Sequence, residues 1–193
     1  MLRVGLTGGL ATGKSFVGRT LRSLGCHLIQ ADELGHAVLA PGGEAHDAVL
    51  AEFGTVDRKQ LAAEVFGRPD RLARLNELVH PPVIRREEAW MRTVESEDAS
   101  AIAVVEAAIL IETGSYKRFD RIILTVASEE EQVRRAMDRD GASEAEVRQR
   151  LARQMPLADK RKFAHYVIDT NGSKEKTVRQ VEAVYRELRS LVS

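Results

Sequence analysis

The sequence predicts an α/β fold: a five-stranded, mostly parallel sheet covered by helices on both faces. Two observations carry that expectation. Short continuous apolar runs, such as Leu2–Thr7, Ile102–Val105 and Arg121–Val126, alternate with helical stretches along the whole chain. Runs without polar alternation suit strands buried on both faces, and strand–helix alternation is the pattern of parallel β-α-β connections. A glycine-rich turn also joins the first apolar run to the first helix, as such connections require.

The elements follow in order. Leu2–Thr7 reads as a strand, and the turn after it opens a helix over about 14–24. Cys26–Gln30 reads as a second strand, followed by a helix from Asp32 that stops near Pro41-Gly42-Gly43. Residues 44–98 are helical throughout, with breaks expected at Phe66-Gly67-Arg68-Pro69 and at His80-Pro81-Pro82, because proline removes an N–H and crowds the preceding turn. Strands three and four are Ile102–Val105 and Arg121–Val126. Ser128 with Glu131, and Ser143 with Glu146, have the spacing of capping boxes that start the next two helices, separated by a break at Gly141. Tyr166–Asp169 reads as the fifth strand, and Ser173 opens a final helix to about Leu191.

Composition narrows the function. At 193 residues the chain is expected to form one domain with a sizeable core. Lys+Arg and Asp+Glu balance at 29 each, so no global field draws it to nucleic acid or an anionic membrane. Aromatics make up 5%, which offers few platforms for stacking bases. Cys26 is the single cysteine, which suits a reducing cytoplasm, and neither a signal peptide nor a transmembrane run is expected.

The chemistry concentrates in Gly8–Ser15, which has the spacing G-x-x-x-x-G-K-S. Glycines let successive backbone N–H groups turn inward on an anion, and the helix that follows adds its positive N-terminal end. Lys14 suits the β- and γ-phosphates of a nucleotide, and the Ser15 hydroxyl suits Mg²⁺. Gly8, Gly9, Ala11, Thr12, Gly13, Lys14, Ser15 and Phe16 are therefore the candidate nucleotide contacts. No N-K-x-D element for guanine is present, and the charge balance offers no duplex-binding face, so neither a GTPase switch nor a DNA-dependent ATPase fits. A large helical insertion at 44–98 and a basic helical pair at 134–163 match instead the plan of a small-molecule kinase with an acceptor region and a lid. On the lid, Arg139 stands before Asp140 and Gly141, where a guanidinium would neutralise charge on a transferring phosphoryl group. Asp32 falls just past the second strand, at the edge where α/β sheets bind ligands. Its carboxylate suits a base that accepts a hydroxyl proton, or equally a helix cap. Glu106, Glu112 and Asp169 are further acids at strand ends, open to capping or to pairing with the lid.

Taken together, GLTGGLATGKS, Ala31-Asp32, His80-Pro81, Leu110-Ile111-Glu112, Arg135 through Arg139-Asp140, and Val167-Ile168-Asp169 with Asn171-Gly172 resemble the dephospho-CoA kinase family over essentially the whole chain. The resemblance implies a P-loop kinase fold, ATP and Mg²⁺ as cofactors, and transfer of the γ-phosphate to the ribose 3′-hydroxyl of dephospho-CoA. It implies Asp32 as the base, with Lys14 and Arg139 assisting, and places Thr7 and the His80-Pro81 turn near the acceptor. The chain departs from the family pattern at Gln30, Phe16, Ala108 and Thr170. Two other readings share the loop: a nucleoside monophosphate or small-alcohol kinase, for which Arg85, Arg86 and Arg92 would serve the acceptor, and a regulatory nucleotide-binding module.

Overall fold

The computed structural model describes residues 1–192. Its elements are β1 (Leu2–Gly8), α1 (Lys14–Ser23), β2 (His27–Gln30), α2 (Ala31–Leu39), α3 (His46–Phe53), α4 (Arg58–Val65), α5 (Pro69–Glu97), β3 (Ile102–Glu106), β4 (Arg121–Val126), α6 (Glu129–Asp140), α7 (Glu144–Leu151), α8 (Leu157–Lys160), β5 (Tyr166–Asp169) and α9 (Lys174–Ser190). They form two compact units, one of Met1–Ile29 with the chain from Val94 onward, the other Gln30–Thr93.

The sheet has the order β2-β3-β1-β4-β5. β1 pairs in parallel with β3, Val4 opposite Val104, and with β4, Leu6 opposite Ile123; β4 pairs in parallel with β5, Thr125 opposite Ile168. After β1 the chain moves toward one edge of the sheet, and after β3 it crosses to the other. The carboxyl end of β1 therefore lies at the switch in strand order, where open α/β sheets bind ligands.

Burial explains the apolar runs. On one face Leu2, Val4, Leu6, Ile102, Val104, Ile123 and Ile168 pack against Val17 and Leu21 of α1 and Val181, Val184 and Leu188 of α9. The alternate residues Ala103, Val105, Ile122 and Leu124 are buried as well, so the sheet is covered on both sides.

The unit Gln30–Thr93 has its own core of Val38, Ala45, Val49, Phe53, Leu61 and Val83. Asp57 caps α4, accepting from the N–H groups of Lys59 and Gln60. The expected break at His80-Pro81-Pro82 does not occur, since α5 continues through both prolines. Leu75, Leu78, Val79 and Val83 lie three and four residues apart on one face and all join that core. Packing along this stripe outweighs the hydrogen bonds the prolines remove.

One capping expectation also needs correction. Ser143 and Glu146 make the full reciprocal box. Ser128 caps α6 through the Glu131 N–H, but the Glu131 carboxylate bonds Arg134 and Arg135 instead of closing the box. Two guanidinium partners outcompete one backbone N–H for that carboxylate.

Candidate active site

The turn between β1 and α1 has the backbone of an anion cradle. Gly13 takes φ +80° at the N-cap of α1, a conformation that side chains resist. Gly8 has no space for a side chain, because a Cβ there would come within 2.2 Å of the Thr125 hydroxyl and 2.5 Å of the Thr12 hydroxyl. Those hydroxyls bond each other at 2.7 Å, and the Thr12 hydroxyl donates to the Gly9 carbonyl at 2.9 Å. Thr170 donates to the Thr12 carbonyl at 3.0 Å, and Arg135 in turn donates to both the Thr170 hydroxyl and the Thr170 carbonyl. Of the expected lid arginines, Arg135 therefore supports the loop from behind. Phe16, the residue after Ser15, lies 6.0 Å from the Lys174 ammonium, across its ring face.

Lys14 folds back over the turn, its ammonium 3.0 Å from the Gly9 carbonyl. The Ser15 hydroxyl donates to Glu106 Oε1 at 2.7 Å. The other oxygen of that carboxylate, Oε2, is buried and has no hydrogen-bond partner, a costly state for a polar atom without water. The pair of a hydroxyl and a carboxylate with an unspent oxygen fits a hydrated divalent cation, which takes oxygen ligands and keeps most of its waters. Among the described residues no cluster of three or more His, Cys, Asp or Glu is arranged to hold a metal, so a cation here would rely on few protein ligands.

The three acids at strand ends thus have different surroundings. Glu106 stands beside Ser15. Glu112 pairs with Lys160, 2.6 Å away and fully buried at the end of α8. Asp169 accepts from the backbone N–H and the side-chain amide of Asn171, which makes it a turn cap. Thr7 is completely buried and donates to the Ala108 carbonyl at 3.2 Å, and Lys160 reaches the same carbonyl. A cavity of about 420 Å³ opens beside Gly9, lined by Gln132, Arg148, Leu151, Gln154 and Leu157 among others.

Arg139 ends α6 and makes two bonds to its neighbour Asp140, at 2.7 and 3.0 Å; Asp140 also accepts from Arg150 at 2.8 Å. The two guanidiniums, Arg139 first, hold the Asp140 carboxyl down at about 2. Arg139 keeps more than half of its side chain exposed. Gly141 ends the helix in the left-handed conformation, as the break at that position requires.

In the unit Gln30–Thr93, Asp32 is the second residue of α2 and exposed, so it is not the helix cap that its position also suited; Gln30 occupies that place. His80 is half-buried on α5, and burial pushes its pKa down. Arg86 is engaged by Glu44 through two bonds, at 2.9 and 2.5 Å. In the other unit, Gln132, Gln154 and Thr125 contact the phosphate loop and Lys160 pairs with Glu112, without any sequence signal to announce them, being common residue types outside any motif.

Comparison with known proteins agrees with this geometry. A dephospho-CoA kinase from Geobacter metallireducens is 42% identical over 195 residues, covering 97% of this chain and 96% of that protein. The crystal structure of TT1252 from Thermus thermophilus superposes with a TM-score of 0.81 at 36% identity, covering 97% of both chains. Dephospho-CoA kinase from Campylobacter jejuni shares the fold, with a TM-score of 0.71 at 24% identity and 97% coverage of each chain. The dephospho-CoA kinase family model matches residues 2–176, and the chain belongs to that family.

Proposed function

We propose that this chain transfers the γ-phosphoryl group of ATP to the ribose 3′-hydroxyl of dephospho-CoA, giving CoA and ADP, the last step of CoA synthesis. The observation that carries the reading is the anion cradle of Gly8–Ser15, with Lys14 and the Ser15–Glu106 pair at its mouth, in a chain of this family. Gly8, Gly9, Ala11, Thr12, Gly13 and Phe16 border the nucleotide. Lys14 leaves the Gly9 carbonyl for the β- and γ-phosphate oxygens.

Asp32 accepts the 3′-hydroxyl proton as the O3′–P bond forms and the bond from the γ-phosphorus to the β-bridging oxygen breaks. Its exposed carboxylate at the start of α2 supports that role. Arg139 exchanges Asp140 for the transferring phosphoryl group, whose charge it neutralises. Thr7 acts from behind, through the Ala108 carbonyl, and His80 offers the acceptor a neutral polar group. Ser15 and Glu106 would hold Mg²⁺, which supplies charge neutralisation on the phosphates. Because phosphoryl transfer passes through a loose transition state, positioning and charge outweigh proton abstraction.

A nucleoside monophosphate kinase is less well supported, since Arg86, one of the arginines it would use for the acceptor phosphate, is engaged by Glu44. No helix among the described residues is long and apolar enough to cross a membrane, and a cytoplasmic site of action agrees with the substrates proposed. The test is ADP release by purified protein with ATP and Mg²⁺ against dephospho-CoA, AMP, CMP and shikimate. Turnover confined to dephospho-CoA is expected. Equal turnover with a monophosphate, or ATP binding without turnover on any acceptor, would overturn the reading.

A further inference from the structure

The tip of the phosphate loop is held by side chains that the reaction does not use. The Leu10 N–H donates to Gln154 Oε1 at 2.8 Å, and the Leu10 carbonyl accepts from Gln132 Nε2 at 2.6 Å. Both polar groups of one peptide residue are thus satisfied by two glutamines from distant parts of the chain. Gln132 is 4% exposed and lies on α6, on the same helical face as Arg135 and Arg139, three and seven residues on. Gln154 lies between α7 and α8, inside the 134–163 segment. Gln132, two residues before the 134–163 segment, and Gln154, within it, therefore hold the loop from two sides.

The next residue shows why a grip is needed. Ala11 has φ +54° and is the only non-glycine with positive φ among the described residues. An alanine stays in that region only where its surroundings over-determine it. Apolar contacts add to the two amide bonds: Leu10 and Ala11 pack against the cluster of Val133, Ala136 and Val147 from α6 and α7. Two further carbonyls of the loop are also engaged, Gly9 O by Thr12 and Thr12 O by Thr170. Gly9 itself adjoins the clamp, since a Cβ there would come within 2.7 Å of Gln132 Nε2.

We infer that Gln132 and Gln154 are positioning residues that hold Leu10 from both sides, keep Ala11 left-handed, and so preform the phosphate loop before nucleotide arrives. The inference rests on reading residues 8–15 as a phosphate site, but not on the identity of the acceptor. A preformed loop spends no binding energy on ordering itself, so losing the clamp weakens nucleotide binding although neither glutamine touches the nucleotide.

The experiment measures ADP binding by calorimetry for the wild-type protein, Gln154→Leu, Gln154→Glu and Gln132→Leu, with amide hydrogen exchange at Leu10 read by NMR. Gln154→Leu should raise the Kd for ADP about tenfold, the worth of one hydrogen bond, and speed exchange of the Leu10 amide. Gln154→Glu keeps an acceptor oxygen and should recover most of both. Gln132→Leu should weaken ADP while leaving the KM for the acceptor unchanged. Wild-type affinity in both leucine variants overturns the inference, and so does a loss of ADP binding that tracks melting temperature and is not rescued by glutamate. Failure of the wild-type protein to bind ADP would instead overturn the phosphate-site reading beneath it.

Discussion

Replacing Glu106 by Gln should move stability and activity in opposite directions. One oxygen of this carboxylate accepts from Ser15 at 2.7 Å, while the other is buried without a partner. Glutamine keeps an oxygen for Ser15 and removes the buried charge. An unsatisfied buried group costs about 1–3 kcal/mol, more when charged; the glutamine NH2 is still unpartnered but carries no charge, so the variant should gain about 1 kcal/mol without metal. For a chain of this size that corresponds to a rise of roughly 2–4 °C in melting temperature. With metal the sign reverses, because a neutral amide is a poorer ligand. Losses of about 10–100-fold in metal affinity or activity are usual when a metal's supporting ligand is removed. Thermal melts in EDTA and Mg²⁺ titrations of turnover read the two effects separately. A variant that melts lower than wild type without metal, and shows an unchanged Mg²⁺ requirement, would refute the reasoning.

Other perturbations test other contacts. Lys160→Met strips the partner from Glu112, which is only partly reached by solvent, and should cost about 3 kcal/mol in urea unfolding. Adding Glu112→Gln should recover much of that loss, and a single variant within 1 kcal/mol of wild type, a bound of roughly one ordinary hydrogen bond, would show the pair to be dispensable. Hydrogen bonds from Arg134 and then Arg135 hold the Glu131 carboxyl at about 2 against an ordinary 4.5. The unfolded chain therefore binds more protons between those values, so stability from this group is complete above about pH 4.5 and is lost as pH falls toward 2. Urea midpoints at pH 7, 4 and 3 should show a shallower acid decline in Glu131→Gln, and parallel curves would contradict the assignment. Arg139→Ala should lower kcat by at least tenfold and leave the Kd for ADP nearly unchanged, since the role proposed is on the transferring group.

How much of this was legible in the sequence varies with the range of the interactions concerned. The five strands and the loop at 8–15 were legible because they rest on local apolar runs and glycine spacing. The two Ser-x-x-Glu boxes looked alike, yet one closed and one did not. Arg134 and Arg135, three and four residues beyond Glu131, compete for its carboxylate, whereas the Glu146 carboxylate stays with Ser143. The helix break at His80-Pro81-Pro82 failed as an expectation because local backbone preference was set against a long-range stripe, Leu75 to Val83, that only the folded core rewards. Within the site, Lys14, Ser15 and Arg139 stood out by motif. Glu106 was visible only as one strand-end acid among three, and its distinction is a contact with Ser15 across 91 positions. Gln132 and Gln154 left no trace, since their work is to satisfy the backbone of Leu10, 122 and 144 residues away.

The proposed chemistry turns on Asp32 as the group that takes the ribose proton. The most direct measurement is kcat with saturating ATP, Mg²⁺ and dephospho-CoA for wild type and Asp32→Asn, alongside the Kd of each substrate for both proteins. General-base catalysis contributes about 10²–10⁴. Asp32→Asn should therefore lose at least a hundredfold in kcat while binding both substrates within a few-fold of wild type. Turnover within a few-fold of wild type would remove Asp32 from the reaction.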